Sequence, residues 1–270
     1  MKNILWNNGY YTDDTERVFY IYDRIRYGDA VFDTMLVQDK KPVHIKAHFD
    51  RLLRHGKVMN IHFDMSFDDY QSLVHQLIEK NDLQSFGKYS LNTWVSRGLQ
   101  QPGIKPLSNP ELQIVLKISE MKKIMRDIHA HIATNVRRNE GSPLSQIKSC
   151  NYGDNILAMI EANSQGRNEA VMLNNKGDVT CTTSGNIFCM EDGKMITPPL
   201  QDGVIDGIVR KMIIERYEAV EKSITREQLE QSDSIFMTNS LRGMSFFKTL
   251  NGRELKETSL KIDKNFHVGS

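Results

Sequence analysis

The sequence predicts a mixed fold of helices and strands, of the α/β or α+β class, arranged as two domains. Its 270 residues are enough for one large domain or two of ordinary size. Helical and strand patterns occur in both halves of the chain, and the two halves meet near residues 119–127. We therefore expect an N-terminal α/β domain over 1–119, a linker over 120–127 and a C-terminal domain over 128–270.

Two helices and two strands are predicted in the N-terminal half. The first helix covers 47–60, where residues at helical spacing form one face: Phe49, Leu52, Leu53, Gly56 and Met59. Ser66 begins the second helix, because Ser66 and Asp69 form a capping-box pattern. Its apolar stripe consists of Leu73, Val74, Leu77 and Ile78. The strands cover 89–95 and 112–118, on either side of a loop rich in Gly, Pro and Asn.

The C-terminal half is predicted to hold two helices among many short strands. The helix over 155–162 is expected to turn Ile156, Met159 and Ile160 inward. A further helix covers 208–217. Turn-forming residues in NNKGD and EDGK predict hairpins between neighbouring strands. The strands are 128–134, 170–173, 179–181, 186–190, 195–197 and 234–238.

Composition and charge argue against several classes of protein. The chain has 35 basic and 34 acidic residues and a pI near 7.7, so its overall charge gives no electrostatic attraction to nucleic acid or anionic lipid. No apolar run approaches the ~20 residues of a membrane span, and the N-terminus becomes polar too early for a signal peptide. Three cysteines without CxxC spacing indicate neither a disulfide framework nor a zinc site. We expect a cytoplasmic protein with no nucleic-acid or membrane partner.

The usual local signatures of nucleotide binding, zinc proteolysis and serine hydrolysis do not occur in the sequence. GxGxxG, GxxxxGK[ST], HExxH and GxSxG are all absent. The eight histidines are scattered, and His48 and His55 are interpreted as structural. No metal site is expected.

Six short segments carry a stronger signal when they are taken together. In chain order they are YGDAVFDTMLV (27–37), HFDRLLRHGKVM (48–59), IKSCNYGDNILAMIEA (147–162), GDVTCTTSGNIF (177–188), ITPPLQDGVIDGIVRKMIIE (196–215) and MTNSLRGMSF (237–246). In this order and at these separations they resemble the class IV aminotransferases, a family of pyridoxal-phosphate (PLP) enzymes. That family includes branched-chain aminotransferases, D-amino-acid transaminases and 4-amino-4-deoxychorismate lyases. The resemblance covers about residues 1–250.

The resemblance implies the two-lobed architecture of fold type IV, with a smaller α/β N-terminal domain and a larger C-terminal domain that has a barrel-like sheet. It also implies PLP as the cofactor, a small-molecule substrate and a homodimer. Lys148, in IKSCNY just before a predicted helix, matches the lysine that holds the cofactor as a Schiff base. Such a lysine must lose its proton near neutral pH, which burial or a nearby cation favours. Taken alone, the motif would favour a solvated lysine.

Other residues match the family's contacts with the cofactor phosphate. Arg51, at the edge of the first helix's apolar stripe, matches the arginine that grips the phosphate, with a solvated arginine as the alternative. The helix start at Gly207, Ile208 and Val209 offers backbone N–H groups to an anion, although many relatives have threonine in place of Val209. Ser240 matches the family's last phosphate-binding hydroxyl.

The residues that match the family's contacts with the cofactor ring include one departure. Tyr152 matches a tyrosine that hydrogen-bonds the phenolic oxygen, and Ile205 would lie against the ring or simply in the core. Relatives read VTEGTSSNIF where this chain reads VTCTTSGNIF, so Cys181 replaces the glutamate that keeps the pyridine nitrogen protonated. A neutral thiol with an ordinary pKa of ~8.5 cannot hold a pyridinium as a carboxylate does. The ring should therefore be a weaker electron sink.

This substitution favours a lyase over a transaminase. Transamination needs a well-stabilised carbanion, whereas an elimination releases electrons into a leaving group, and loss of pyruvate from 4-amino-4-deoxychorismate also forms an aromatic ring. The segments TNSLRGM and GVIDGIVR are typical of the lyases as well. We therefore predict a PLP lyase of folate synthesis that forms 4-aminobenzoate and pyruvate. The alternatives are a branched-chain or D-amino-acid aminotransferase and a catalytically weakened PLP-binding homologue.

The sequence determines the substrate contacts less well than the cofactor contacts. Arg97 and Arg242 are the cationic candidates for the two substrate carboxylates, with a structural or solvated role as the alternative for each. Tyr27 and Phe32 are expected to line the pocket or simply to pack. The D-amino-acid transaminases carry an arginine and histidine pair, and SRGLQQPG offers Arg97 without the histidine, which argues against that subgroup.

Overall fold

The computed structural model describes residues 2, 4–13, 22–121 and 127–256, which form two compact units. The first unit holds the described residues up to Met121 together with Lys148–Cys150. The second holds residues 127–147 and 151–256. The predicted domain boundaries stay a prediction, because residues 122–126 and 257–270 lie outside the described part of the chain.

A six-stranded antiparallel sheet forms the first unit. Its strands are β1 Ile4–Asn7, β2 Tyr10–Asp13, β3 Ala30–Gln38, β4 Lys41–Pro42, β5 Lys88–Ser96 and β6 Gln113–Glu120. They lie in the order β2–β1–β6–β5–β3–β4, and each neighbouring pair is antiparallel. The two predicted strands are confirmed as β5 and β6. β3 was not predicted as a strand, because AVFDTMLVQ is apolar almost throughout and shows no alternation.

Two helices accompany this sheet. α1 spans Ile45–Val58 and α2 spans Phe67–Lys80, close to the predicted ranges. The hydroxyl of Ser66 accepts the backbone N–H of Asp69 at 3.1 Å, which confirms the predicted start of α2. α1 buries both apolar and polar side chains: His48, Phe49, Arg51, Leu52, His55 and Gly56. The rest of its predicted apolar face is only half-buried: Leu53 and Met59.

A closed six-stranded barrel forms the second unit. The strands of this unit are β7 Ile128–Ile132, β8 Glu169–Leu173, β9 Val179–Thr182, β10 Asn186–Glu191, β11 Lys194–Thr197, β12 Val220–Glu221, β13 Ile235–Asn239, β14 Gly243–Leu250 and β15 Arg253–Glu254. Hydrogen-bonded neighbours follow the order β10–β13–β14–β7–β8–β9, and β9 pairs with β10 to close the ring. The barrel-like sheet implied by the sequence is therefore confirmed.

The barrel encloses an apolar core to which every strand of the ring contributes. β7 runs parallel to both of its neighbours, β14 and β8, while the other pairs of the ring are antiparallel. Alternate side chains of these strands point to the same side and pack together. The six strands of the ring contribute these residues to the core: Ile128, Ala130, Ile132, Val171, Leu173, Val179, Ile187, Cys189, Ile235, Met237, Phe247 and Leu250.

Three helices belong to the second unit: α3 Gly153–Ser164, α4 Ile208–Tyr217 and α5 Arg226–Gln231. α4 has the predicted bounds. The predicted inward face of α3 is wrong, because Ile156 and Ile160 are 59% and 57% exposed. The helix instead buries Asn155, Ala158 and Ala162, and the small side chains of the two alanines allow close packing. No helix within the described ranges is long and apolar enough to span a membrane.

Glu161 attaches α3 to the chain that follows β7. One carboxylate oxygen accepts the backbone N–H of Thr134 at 3.0 Å and its hydroxyl at 2.6 Å. The other oxygen accepts the N–H of Asn135 at 3.1 Å, and His131 Nε2 lies 3.0 Å from the first. Partial burial acts to raise the pKa of Glu161, but the hydrogen bonds from Thr134, His131 and Asn135 lower it to about 2. The ionised carboxylate is therefore the form that holds α3.

Replacement of Glu161 by glutamine is expected to lower the free energy of unfolding by about 2 kcal/mol at pH 7, because hydrogen bonds to a charged acceptor are lost. The folded-state pKa lies below the ordinary ~4.3, so this stabilisation is complete above that pH and is lost as the pH falls towards 2. Urea unfolding at pH 7 and pH 3 measures it, with exposed Glu254→Gln as the control. An equal loss at both pH values would contradict the assignment.

Candidate active site

A buried ion pair joins β3 to α1. Arg51 of α1 donates from Nε to Asp33 Oδ2 and from Nη2 to Asp33 Oδ1, both at 2.8 Å. His48, one turn earlier in α1, donates from Nδ1 to Asp33 Oδ1 at 2.6 Å. All three residues are buried. Because the planar guanidinium is held at two points, Asp33 fixes its orientation.

Burial and the neighbouring charged groups determine which side chains of this cluster are ionised. Burial acts to raise the pKa of Asp33, but the Arg51 charge and the contact with His48 hold it well below its ordinary range. Burial lowers the pKa of His48, so its ring is neutral and donates one N–H to the carboxylate. The cluster thus pairs one anion with one cation. The phosphate contact predicted for Arg51 stays a prediction.

Lys148 lies beside β3. Its carbonyl accepts the N–H of Phe32 at 2.9 Å, and its own N–H donates to Nδ1 of His55 at 3.1 Å. Its amine lies 4.3 Å from the centre of the Phe32 ring, within the range of a cation–π contact. The structure therefore brings Lys148 together with Phe32 and His55, and Arg51 lies one helical turn before His55.

Arg97 takes part in a separate buried network of the first unit. Its guanidinium donates to both carboxylate oxygens of Asp29, at 2.9 and 3.1 Å. It also donates to the backbone carbonyls of Met59 and Asn60, at 2.6 and 3.0 Å. These acceptors are all protein groups, so Arg97 anchors the end of α1. A substrate contact of Arg97 stays a prediction.

Tyr27 and Phe32 have different surroundings although they belong to one sequence segment. Tyr27 is 42% exposed, and the guanidinium of Arg26 lies 4.7 Å from the centre of its ring. Phe32 is half-buried on β3, beside the amine of Lys148. The contacts of Tyr27 and Phe32 with substrate stay predictions.

A β-bulge determines where the Cys181 side chain lies. Leu173 pairs with Val179 and Met172 pairs with Cys181, so two residues of β9, Thr180 and Cys181, stand opposite one residue of β8. The extra residue turns Cys181 to the opposite face from Val179, which packs in the barrel core. In the part of the chain that the structure describes, no carboxylate contacts Cys181, and its thiol accepts only the Thr180 hydroxyl, at 3.5 Å. Its apolar neighbours are Ala133, Val136, Ala158, Ala162, Ala170 and Met172.

The barrel closes next to Cys181, at Asn186. Asn186 of β10 pairs with Cys181 on one side and with Thr238 of β13 on the other. Its side-chain amide donates to the Ile205 carbonyl at 2.8 Å. A Cβ on Gly207 would lie 2.0 Å from Asn186 Oδ1, so this close approach requires glycine. Asn186 therefore fixes the start of α4 at the barrel seam.

The start of α4 presents backbone N–H groups. Gly207 is the N-cap residue, and no side chain among the described residues caps the helix there. The first N–H groups of a helix lack intrahelical partners and lie at the positive end of its dipole. The Val209 side chain is buried in a cluster with Phe188 and Ile213. At Val209, therefore, only the backbone N–H is available to bind an anion.

Ser240 and Arg242 lie in the turn between β13 and β14. The side-chain oxygen of Asn239 accepts the N–H groups of Leu241 and Arg242, at 3.1 and 2.8 Å, and so shapes the turn. Within the described ranges, neither the Ser240 hydroxyl nor the Arg242 guanidinium has a hydrogen-bond partner. Tyr152 is half-buried and immediately precedes α3.

Several residues of these arrangements were not among the predicted site residues, including Asp33, His48, His55 and Asn186. One signal was available in the sequence, because an acid inside an apolar strand such as AVFDTMLVQ needs a buried partner. His48, Arg51 and His55 also share one helical face. Their interpretation as structural histidines agrees with the buried contacts that His48 and His55 make.

Asp33→Asn is expected to lower the free energy of unfolding by about 3–5 kcal/mol, the typical effect of leaving a buried charge without its partner. Since the pKa of Asp33 lies below its ordinary value, this stabilisation is present above pH ~4 and is lost as the pH falls. Urea unfolding at pH 7 measures it. Asp64→Asn, at an exposed position of the same unit, is the matched control. A loss no larger than that of the control would contradict a buried ion pair.

Known proteins are similar to this chain in sequence and in fold. The chain matches the amino-transferase class IV family over residues 30–249. It is 27% identical to a Methanocaldococcus jannaschii protein provisionally named a branched-chain-amino-acid aminotransferase, over 97% of this chain and 94% of that protein. It is 25% identical to the aminodeoxychorismate lyase of Bacillus subtilis, over 88% and 83%.

A solved structure from Legionella pneumophila, provisionally named a 4-amino-4-deoxychorismate lyase, matches with a TM-score of 0.82 at 28% identity and covers 91% of each chain. The two-sheet architecture with its closed barrel agrees with the fold that the sequence predicts. The chain therefore belongs to the class IV aminotransferase family, whose members are PLP-dependent enzymes of fold type IV.

Proposed function

We propose that this enzyme is a PLP-dependent lyase that converts 4-amino-4-deoxychorismate to 4-aminobenzoate and pyruvate, a step of folate synthesis. The position of Cys181 carries the proposal. The bulge in β9 presents a thiol among apolar side chains, at the place where the family resemblance puts a glutamate. Without a carboxylate partner, a ring nitrogen is a weak electron sink, and an elimination depends on that sink less than a transamination does.

Both lyases and aminotransferases are among the relatives, and both are relevant to the choice between these two activities. Similarity to the Bacillus subtilis lyase and to the Legionella pneumophila structure supports a lyase. A branched-chain aminotransferase is the second candidate, favoured by the 27% identity to the Methanocaldococcus jannaschii protein. A D-amino-acid aminotransferase and a homologue that binds PLP with weakened catalysis are further alternatives, which the assays below distinguish.

The residues that the family resemblance assigns to the phosphate of PLP have the chemistry that a phosphate requires. A phosphate requires N–H, hydroxyl and cationic donors. The start of α4 offers backbone N–H groups, and Gly207 has no side chain that could block the approach to them. The Ser240 hydroxyl has no partner among the described residues, and Asp33 orients Arg51. We assign the phosphate to Arg51, Gly207, Ile208, Val209 and Ser240.

The remaining cofactor contacts follow from the same resemblance. We assign the ring to Tyr152, Cys181 and Ile205, with Cys181 as a neutral partner of the ring nitrogen. Ile205 is held at the barrel seam by the bond from Asn186 to its carbonyl. Lys148 supplies the amine that binds the cofactor covalently, and its backbone is held by Phe32 and His55.

Lys148 performs the proton transfers in this proposal. When bound, PLP supplies an electrophilic carbon for amines and a conjugated ring that accepts an electron pair. After the substrate amine has displaced it, the Lys148 amine removes the proton from the substrate carbon that bears nitrogen. The bond between the substrate ring and the enolpyruvyl oxygen breaks, and the substrate ring becomes aromatic. Lys148 or a water supplies the proton that completes pyruvate, and the Lys148 amine then displaces the amine of 4-aminobenzoate, which leaves.

Arg242 is assigned to one substrate carboxylate. Its guanidinium has no hydrogen-bond partner within the described ranges, whereas Arg97 is occupied by Asp29 and two carbonyls. A planar guanidinium suits a carboxylate because it can donate two parallel hydrogen bonds.

We also propose that the enzyme is a cytoplasmic homodimer. The exposed face of α3 supports the dimer, because Ile156, Leu157 and Ile160 are all about half exposed on one short helix. Exposed apolar side chains in a contiguous patch are typical of surfaces that pack against another subunit. Sedimentation equilibrium of the purified protein tests the stoichiometry.

The wild-type enzyme supplied with PLP is expected to release 4-aminobenzoate and pyruvate in equal amounts from 4-amino-4-deoxychorismate. Lys148→Ala should slow the reaction by at least about 10³-fold, since the general acid–base group is removed, and should lose the visible absorbance of bound PLP. Lys57→Ala, at an exposed position of α1, is the control and should retain both. Faster turnover of an amino acid with 2-oxoglutarate would instead identify an aminotransferase.

Cys181→Glu is expected to raise the transaminase side activity by about tenfold or more, which corresponds to about 1.4 kcal/mol of the barrier. The new carboxylate would hold the ring nitrogen in its protonated form. Cys181→Ser, a neutral residue of similar size, is the control and should show no such gain. The measurement is the rate of 2-oxoacid formation from amino-acid donors. No gain in a folded Cys181→Glu protein that binds PLP would refute the role given to Cys181.

A further inference from the structure

His55 links α1 to the backbone of Lys148. It lies in the last turn of α1 and is buried. Its Nδ1 accepts the backbone N–H of Lys148 at 3.1 Å. The Lys148 carbonyl accepts the N–H of Phe32 at 2.9 Å. Both backbone polar groups of Lys148 are therefore held, one by the imidazole and the other by β3.

This hydrogen bond requires one particular form of the imidazole. An Nδ1 that accepts a hydrogen bond carries no proton, so the proton of the neutral ring lies on Nε2. Burial and the Arg51 charge lower the pKa of His55 to about 3, against the opposing effect of Asp33. Arg54 of α1 and Lys148 itself act in the same direction as Arg51. The ring is therefore neutral near pH 7 and keeps its acceptor.

We propose that His55 is a positioning residue for Lys148, whose backbone it fixes through Nδ1 so that the reactive amine extends from a defined point. The inference rests on the proposed function, because it takes Lys148 as the lysine that binds PLP. The amine must reach first the cofactor and then the substrate proton. A misplacement of about 1 Å at a reacting group can slow a reaction about 10²-fold.

Two substitutions separate the acceptor from the bulk of the ring. His55→Asn places an amide oxygen close to the position of Nδ1, whereas His55→Gln places its amide near Nε2 and leaves the Lys148 N–H without that acceptor. Amide hydrogen exchange at Lys148 in the full-length protein measures the bond itself. The rate at which visible absorbance develops after PLP is added measures the placement of the amine. Thermal unfolding of each variant verifies that it is folded.

We expect the Lys148 amide of His55→Gln to exchange about 5- to 30-fold faster than in the wild type, the ratio that corresponds to one buried hydrogen bond. The absorbance should develop more slowly by a similar factor, and His55→Asn should restore both rates. Unchanged exchange and absorbance kinetics in His55→Gln would overturn the inference while leaving the proposed function intact. A wild-type protein that gains no absorbance with PLP would overturn the proposed function and, with it, the role given to His55.

Discussion

The Asp33 carboxylate is the group on which the arrangement of the first unit depends. A buried anion must be paired, and Asp33 takes its partners, Arg51 and His48, from a single face of α1. This pairing sets the position of α1 along β3 as well as the orientation of Arg51. The next turn of α1 then brings His55 to Lys148, whose carbonyl is already bonded to β3. One buried charge thus helps to determine where both the Arg51 guanidinium and the Lys148 backbone lie.

In the second unit, the positions of the candidate site residues depend instead on the closure of the barrel. At the seam, Asn186 pairs with Cys181 and at the same time holds Ile205 at the start of α4. The bulge at Thr180 turns the thiol out of the barrel core, and glycine at position 207 permits the close approach of α4. The groups of this unit suited to an anion are therefore local ones, in keeping with a chain whose net charge is only +1.

The sequence predicted the parts of this structure that follow from local pattern. α4 has its predicted bounds, because its start at Gly207, which is the N-cap residue, is a local feature of the sequence. β3 escaped prediction because AVFDTMLVQ shows no alternation, and the partner of its acid, Arg51, comes from a different element of the chain. The prediction of the buried face of α3 was wrong because small residues, rather than large apolar ones, pack inward. Cys181 was visible as a substitution, but the bulge that aims it depends on pairing with β8.

Whether Lys148 is the residue that binds PLP is tested most directly by chemical trapping. Reduction of the PLP-loaded protein with borohydride makes the link to the lysine permanent, and proteolysis followed by mass spectrometry locates it. The structure and the family resemblance together predict a single modified lysine, Lys148, in the peptide that contains IKSCNY. Modification at a different lysine, or a protein that remains unmodified after loading with PLP, would contradict this account.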